Sequence, residues 1–299
     1  MKNTLYLLGL LLVPGILFGQ KPIELSGANF KLGQDEYSGV QVLIPEAAWE
    51  QVEKMWIKEI EKRTKSKVSE AHQGEITIFG AFIKTIGEDP VNIYSQIIPR
   101  DSIVELNACI ELKRNEYITE DLYESEFNQL KAFMHDFGKE AYMVEAEEQI
   151  EEQENVLNEL EKELKKLQND KEGMEKKISK NEHEITVSED DIRILDADIA
   201  VKNEEIARVK VRLGSVGDDL VLKETLDSEL KDLEKEKKKM QNAVKKEKKK
   251  IVGYGSDIDN IKLEIPALVE LQNQKMLEIE EQRNKVNQFE TKLASIEAF

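Results

Sequence analysis

Residues 150–213 keep a single seven-residue apolar register, and few folds accommodate a period that long. One row is Ile150, Leu157, Leu164, Lys171, Ile178, Ile185, Ile192, Ile199, Ile206 and Leu213. A second row, three residues later, is Gln153, Leu160, Leu167, Met174, Asn181, Ser188, Leu195, Lys202 and Val209. Fourteen of these 19 positions are apolar with no break in phase, which is the seam of a coiled coil. The segment Gly214-Ser215-Val216-Gly217-Asp218 then interrupts it with two glycines, Gly214 and Gly217, and a capping aspartate at Asp218. Beyond the break a second register runs through Leu226, Leu230, Leu233, Lys237, Met240, Val244, Glu247, Ile251, Tyr254, Ile258, Ile261, Ile265 and Leu268. Eleven of those 13 are apolar, so the chain has two helical arms, 143–213 and 219–296.

Charge says how the arms relate. Residues 231–250 hold ten lysines against four carboxylates. Reflection about Ser215 sets them opposite 181–200, which hold seven carboxylates against Arg193. The next blocks outward, 165–180 and 251–266, also carry opposite net charge. Flanking charges choose partner and orientation in coiled coils. The pattern predicts an antiparallel hairpin that brings Lys238 towards Glu189–Arg193. A parallel homodimer would set the same lysines against each other. In the hairpin, Phe289, Leu293, Ile296 and Phe299 return to the apolar face of the helix that carries Met134 and Phe137.

Two features interrupt the return arm. Val252-Gly253-Tyr254-Gly255-Ser256-Asp257 contains two helix-weakening glycines followed by good caps, which predicts a hinge at 253–257. Pro266 lacks a backbone donor and predicts a kink or a new helix. The apolar phase is expected to shift after it, to Met276, Ile279, Val286, Phe289, Leu293 and Ile296. Asn181 and Ser188 are polar seam positions expected to fix register.

The aromatic residues locate a second kind of structure. Fifteen of the 18 Phe, Trp and Tyr residues lie at or before Tyr142, as a compact core requires. The reading is residues 1–19 as a signal peptide, 20–141 as a compact α+β domain and 142–299 as the coiled-coil hairpin. Within the compact part, Val40, Val42 and Ile44 alternate as a strand. Pro45 and Glu46 suit the first turn of a helix whose stripe is Trp49, Val52, Trp56 and Ile60. Strands follow over 67–71, 75–86, 91–98 and 103–112, with tight turns at Gln73-Gly74, at 87–90 and at 99–102. Such a run implies an antiparallel sheet covered by helices on one face. Thr119 caps the next helix in this reading, and Leu122, Phe127, Leu130, Phe133, Met134 and Phe137 dock it on the sheet. The tryptophans read as core.

Met1-Lys2-Asn3-Thr4, the apolar run from Leu5 to Phe18 and the small residue Gly19 have the layout of a cleaved secretory signal. The apolar stretch is too short to span a bilayer. A periplasmic or secreted mature chain beginning near Gln20, with no later membrane span, is expected. The single Cys109, on a strand face with Glu105, Asn107 and Glu111, fits export and reads as an inert thiol; no base accompanies it.

With 61 acidic and 43 basic residues and a pI near 4.8, the chain lacks the basic surface of a phosphate-backbone binder. There is no Gly-rich phosphate loop, nucleophile elbow or HExxH sequence, and three scattered histidines suggest no metal site. No enzyme activity and no cofactor are expected. The functional expectation is an exported structural or adaptor protein whose small domain docks while the hairpin spans distance, with other proteins or further copies of itself as partners. A chaperone-like holder of unfolded proteins is the alternative: the layout resembles that of periplasmic chaperones with helical arms on a β-rich body, in arrangement and not in motif residues. A ligand-binding module with a coiled-coil spacer is another.

Overall fold

A computed structural model describes residues 21–70 and 74–298. The fold is α+β: an antiparallel sheet with helices on one face, and two long helices packed together as an antiparallel pair. Residues 1–20, where a signal segment is expected, residues 71–73 and Phe299 lie outside the described residues. Contacts divide the chain into two units. One runs to Leu157 and resumes at Glu281; the other is Asn158–Glu280.

In the first unit, strands β1 (Glu24–Leu32), β2 (Asp35–Pro45), β3 (Ser69–Glu70), β4 (Glu75–Ala81), β5 (Val91–Pro99) and β6 (Ile103–Lys113) are ordered β1-β2-β6-β5-β4-β3. All pairings are antiparallel. The two-residue β7 (Glu116–Tyr117) pairs with β6 at Glu111 and Lys113, past the end of the β2 ladder. Helix α1 (Trp49–Ile60) and the start of helix α2 (Glu124–Ser215) cover the face that carries Val42, Ile44, Ile76, Ile93, Leu106 and Ile110. Trp56 is fully buried there, its ring edge-on to Phe137 at 4.9 Å, and its Nε1 donates to Ser95 Oγ at 2.8 Å. Trp49 is half-buried and donates to the Ile97 carbonyl at 3.4 Å. Gly138 lets α2 approach closely, since a Cβ there would stand 2.9 Å from a Val42 methyl.

Four local expectations are corrected. Strand β1 does not show in the apolar pattern, because Ser26-Gly27-Ala28 breaks its alternation; its ladder with β2 holds it. Pro45 ends β2 rather than opening a helix. Glu46 takes φ 56°, and α1 begins only at Trp49, with Ala48 at its N-cap and no side-chain cap. Thr119 does not cap α2: its carbonyl accepts from the Leu122 and Tyr123 amides in a preceding turn, and Leu122 projects into solvent. Strand β4 ends at Ala81, after a bulge at Ile78–Ala81 that contains Gly80 at φ +78°.

Helix α3 (Leu220–Glu297) forms the return arm without interruption. It passes through Gly253–Asp257 and through Pro266, so neither the hinge nor the second helix exists. The apolar phase does not shift either. Inward positions continue from Leu268 through Gln272, Lys275, Ile279, Gln282, Val286, Phe289, Leu293 and Ile296 in alternating steps of four and three, while Met276 is exposed. Polar residues at three inward positions conceal that continuity in the sequence. Helix α2 extends through Gly214 to Ser215, and Gly217 at φ +62° makes the reversal. The cap is Asp219, not Asp218: its carboxylate accepts the Leu222 amide at 3.1 Å.

Candidate functional site

Opposite residues in an antiparallel ladder share a face, so the registers define the side of the sheet away from the helices. On it Ser26, Gln41, Asn107, Gln96 and Glu75 lie in one row, and Cys109, Tyr94 and Thr77 in the next. The amides form a chain. Gln41 Nε2 donates to Asn107 Oδ1 at 3.3 Å, Asn107 Nδ2 to Glu105 Oε1 at 2.9 Å, and Arg100 donates to Glu105 Oε2 at 2.9 Å. Burial opposes ionisation of Glu105, yet these bonds outweigh it and hold its carboxyl below the usual range.

Aromatic rings gather at one end of this face. Tyr37 stacks on Tyr94 with centroids 4.8 Å apart and planes 19° from parallel, and Tyr117 stands edge-on to Tyr37 at 5.8 Å. Beneath them Glu111 accepts from Asn92 Nδ2 at 2.8 Å, the Asn115 amide at 2.8 Å and Tyr94 Oη at 3.0 Å. Those donors, Asn92 foremost, keep its carboxyl ionised below the ordinary range. Burial first, and the bond to Glu111 second, push the Tyr94 phenol upward. Burial also lifts the Cys109 thiol to about 12, which removes it as a nucleophile at neutral pH.

A cleft of about 300 Å³ opens between the β1–β2 turn and β4, walled by Leu32, Gly33, Tyr37, Glu75, Phe79 and Tyr94. Phe79 is 57% exposed there. The Gly33 amide donates to Glu75 Oε1 at 3.5 Å, while Glu75 Oε2 is buried without a hydrogen-bond partner among the described residues. This end of the face presents aromatic rings beside carboxylates held by hydrogen bonds. Glu105 and Glu111 are held below the ordinary carboxylate range, burial pushes the phenols of Tyr37, Tyr94 and Tyr117 upward, and the described residues contain no group of three His, Cys, Asp or Glu able to hold a metal ion.

The residues expected in the coiled-coil seam, from Ile150 to Ile265, are all buried or half-buried; Ile206, Leu226, Val244, Ile258 and Ile261 are among the most enclosed. Of the polar seam positions, Ser188 donates to Glu247 Oε2 at 3.2 Å, whereas Asn181 Nδ2 is buried without a partner among the described residues. Gln272 Nε2 reaches across to the Leu167 carbonyl at 2.9 Å. These cross-links correct the expected register. Position 247 meets 188 and 272 meets 167, so the reflection centre lies a few residues beyond Ser215, and 231–250 face roughly 188–207. Near the reversal the cross-helix ion pairs run from α2 bases to α3 acids, as in Lys202–Glu236 at 3.0 Å and Lys210–Glu234 at 3.2 Å, and farther along they run from α3 lysines to α2 acids, as in Lys275–Glu163 at 2.8 Å. Lys238 is exposed and pairs with no carboxylate among the described residues.

One element went unforeseen. In the first unit Lys292, with only 3% of its side chain exposed, makes an ion pair with Glu46, donates to Gln149 Oε1 at 3.0 Å and lies over the Tyr142 ring at 5.3 Å. Burial disfavours the Glu46 anion, but Lys292 and then Lys21 more than compensate, and its carboxyl sits below the ordinary range. Beside it Ile296 is fully buried in the sheet core with Leu293 packed against it, and Lys139 donates to the Glu297 carbonyl at 2.8 Å. The end of α3 thus returns to α2 near Phe137, as the hairpin requires. A lysine inside the apolar run 289–296 was the available signal, but its partner lies 246 positions away. Comparison with known protein families, curated proteins and solved structures gives no significant match to this chain.

Proposed function

We propose that this is a non-enzymatic exported adaptor, in which the sheet face away from the helices binds a partner and the helical hairpin provides an extended arm. The observation that carries the reading is the aromatic cleft at Tyr37, Phe79 and Tyr94 on the sheet face away from the helices, next to carboxylates fixed by hydrogen bonds. Exposed aromatic side chains over a rigid scaffold are favoured anchors for recognition. The n-, h- and c-region layout of residues 1–19 supports export. A second reading, capture of a small ligand in the same cleft, is favoured by the unpartnered Glu75 oxygen, which a hydrogen-bond donor would satisfy.

The test is crosslinked pull-down from cell-envelope extract with the full mature chain and its Phe79→Ser variant. One defined partner, retained by wild type and lost by the variant, supports the adaptor. A broad set of unfolded clients held equally by both supports the chaperone-like alternative. No retained protein, with protection of the cleft by extract metabolites, supports the ligand reading.

A further inference from the structure

The heptad geometry gives the hairpin two broad sides, and the ion pairs identify them. Number the α2 seam rows a (Ile185, Ile192, Ile199) and d (Ser188, Leu195, Lys202), and the α3 seam rows a (Lys237, Val244) and d (Met240, Glu247). In an antiparallel pair the e rows of both helices share one side and the g rows the other. Lys210–Glu234 and Lys262–Glu182 are e-to-e pairs, and Arg212–Glu229 at 3.7 Å is a g-to-g pair. The c row lies on the g side.

On that side α2 carries Val187, Ile194 and Val201 at heptad spacing, 42%, 62% and 56% exposed and away from the seam. The adjoining g row is acidic: Glu184, Asp191 and Asp198. On the same side α3 carries Lys239, Lys246 and Lys250 around Ala243. Lys239, Lys246, Asp191 and Asp198 make no ion pair with described residues, and the Lys250 pKa is raised by its bond to Glu247 and, behind it, by the charge of Asp191, as neighbours on one side should.

We propose that this side of the hairpin pairs with the same side of a second copy of the chain, α2 of each against α3 of the other. A two-fold axis makes one surface meet itself, so it must hold both halves of each contact. This one does: an apolar row edged by carboxylates, and at the same height a lysine row edged by Ala243 and Lys250, with the neighbouring Glu236 already paired to Lys202. Docking buries Val187, Ile194 and Val201 under lysine stems and Ala243, and sets Asp191 and Asp198 against Lys239 and Lys246. An anionic membrane or polymer would meet the lysines but be repelled by the carboxylates beside them, and a basic partner would meet the reverse. Only a surface carrying both signs in the same order satisfies both rows.

The experiment is sedimentation equilibrium of the full mature chain, with helical circular dichroism as the fold control. Wild type is expected to dimerise, with dissociation strengthened about tenfold or more on going from low to high salt. Asp191→Lys/Asp198→Lys and Lys239→Glu/Lys246→Glu should each be monomeric with unchanged helicity, and their equimolar mixture should restore a dimer. If a charge variant loses helicity, Ile194→Ser, a change at an exposed site, takes its place and should weaken the dimer on its own. A wild type that stays monomeric at low salt overturns the proposal. So does a dimer that survives in both charge variants, or monomer that binds anionic lipid vesicles through these lysines.

Discussion

Replacing Lys292 by Met tests how the end of α3 is held in the first unit. The methylene volume is kept, while the bonds to Glu46 and Gln149 and the contact over Tyr142 are lost. Breaking a fully buried ion pair by removing one partner costs about 3–5 kcal/mol. Here Glu46 keeps 28% side-chain exposure and still has Lys21 at 3.4 Å, so water and a second cation soften the loss. The expected destabilisation is therefore about 2 kcal/mol at neutral pH. Both tryptophans, Trp49 and Trp56, lie in this unit, so urea unfolding followed by tryptophan fluorescence reads it directly. Adding Glu46→Gln should recover about 1 kcal/mol, because the stranded charge is removed. The pH dependence has a definite sign. The folded Glu46 carboxyl lies below its ordinary value of 4.5, so the pair's contribution is full above that value and fades as pH falls through the lower folded one. The gap between wild type and Lys292→Met should thus narrow in acid, leaving the part owed to Gln149 and Tyr142. Equal urea midpoints at neutral pH, or a gap undiminished when Glu46 is protonated, would refute the reasoning.

Other expectations are simpler. Leu226→Asp places a charge in the seam beside the reversal and should remove a large part of the helical circular dichroism, while Val211→Asp, on an exposed position nearby, should change it little. Gly253→Ala and Gly255→Ala should each stabilise by roughly 0.5–1 kcal/mol, since nothing stands within 4 Å of an added Cβ and the backbone is helical; a hinge there would make both destabilising. Pro266→Ala should raise helix stability by about 3 kcal/mol at most, measured by thermal melting, because it restores a backbone donor within an unbroken helix. Cys109 should resist thiol reagents at neutral pH until the sheet unfolds, and rapid labelling of folded protein would contradict its burial.

The sequence alone determined the features that depend on repetition or on local turns. Ile150 to Leu213 could only be a long helical seam, because seven-residue periodicity repeated over many turns has no other packing solution. The break after Leu213, together with the opposite net charge of the blocks on either side of it, pointed to a reversal into a second arm rather than to a parallel homodimer. Tight turns between 87 and 102 likewise dictated consecutive antiparallel strands. What escaped was decided by partners distant along the chain. Strand β1 has little apolar pattern of its own and exists because β2 offers it a ladder. Gly253, Gly255 and Pro266 weaken a helix locally, yet packing along α2 outweighs them, and Gln272, Lys275 and Gln282 hide the phase that continues past the proline. The exact register of the hairpin was set by side chains such as Ser188 and Glu247, which charge blocks averaged over 20 residues cannot resolve. The cleft at Tyr37, Phe79 and Tyr94 and the Glu46–Lys292 pair depend on strand order and on a chain return across most of the sequence. Local composition carries no record of such meetings; they are decided when the sheet closes and the last helix docks.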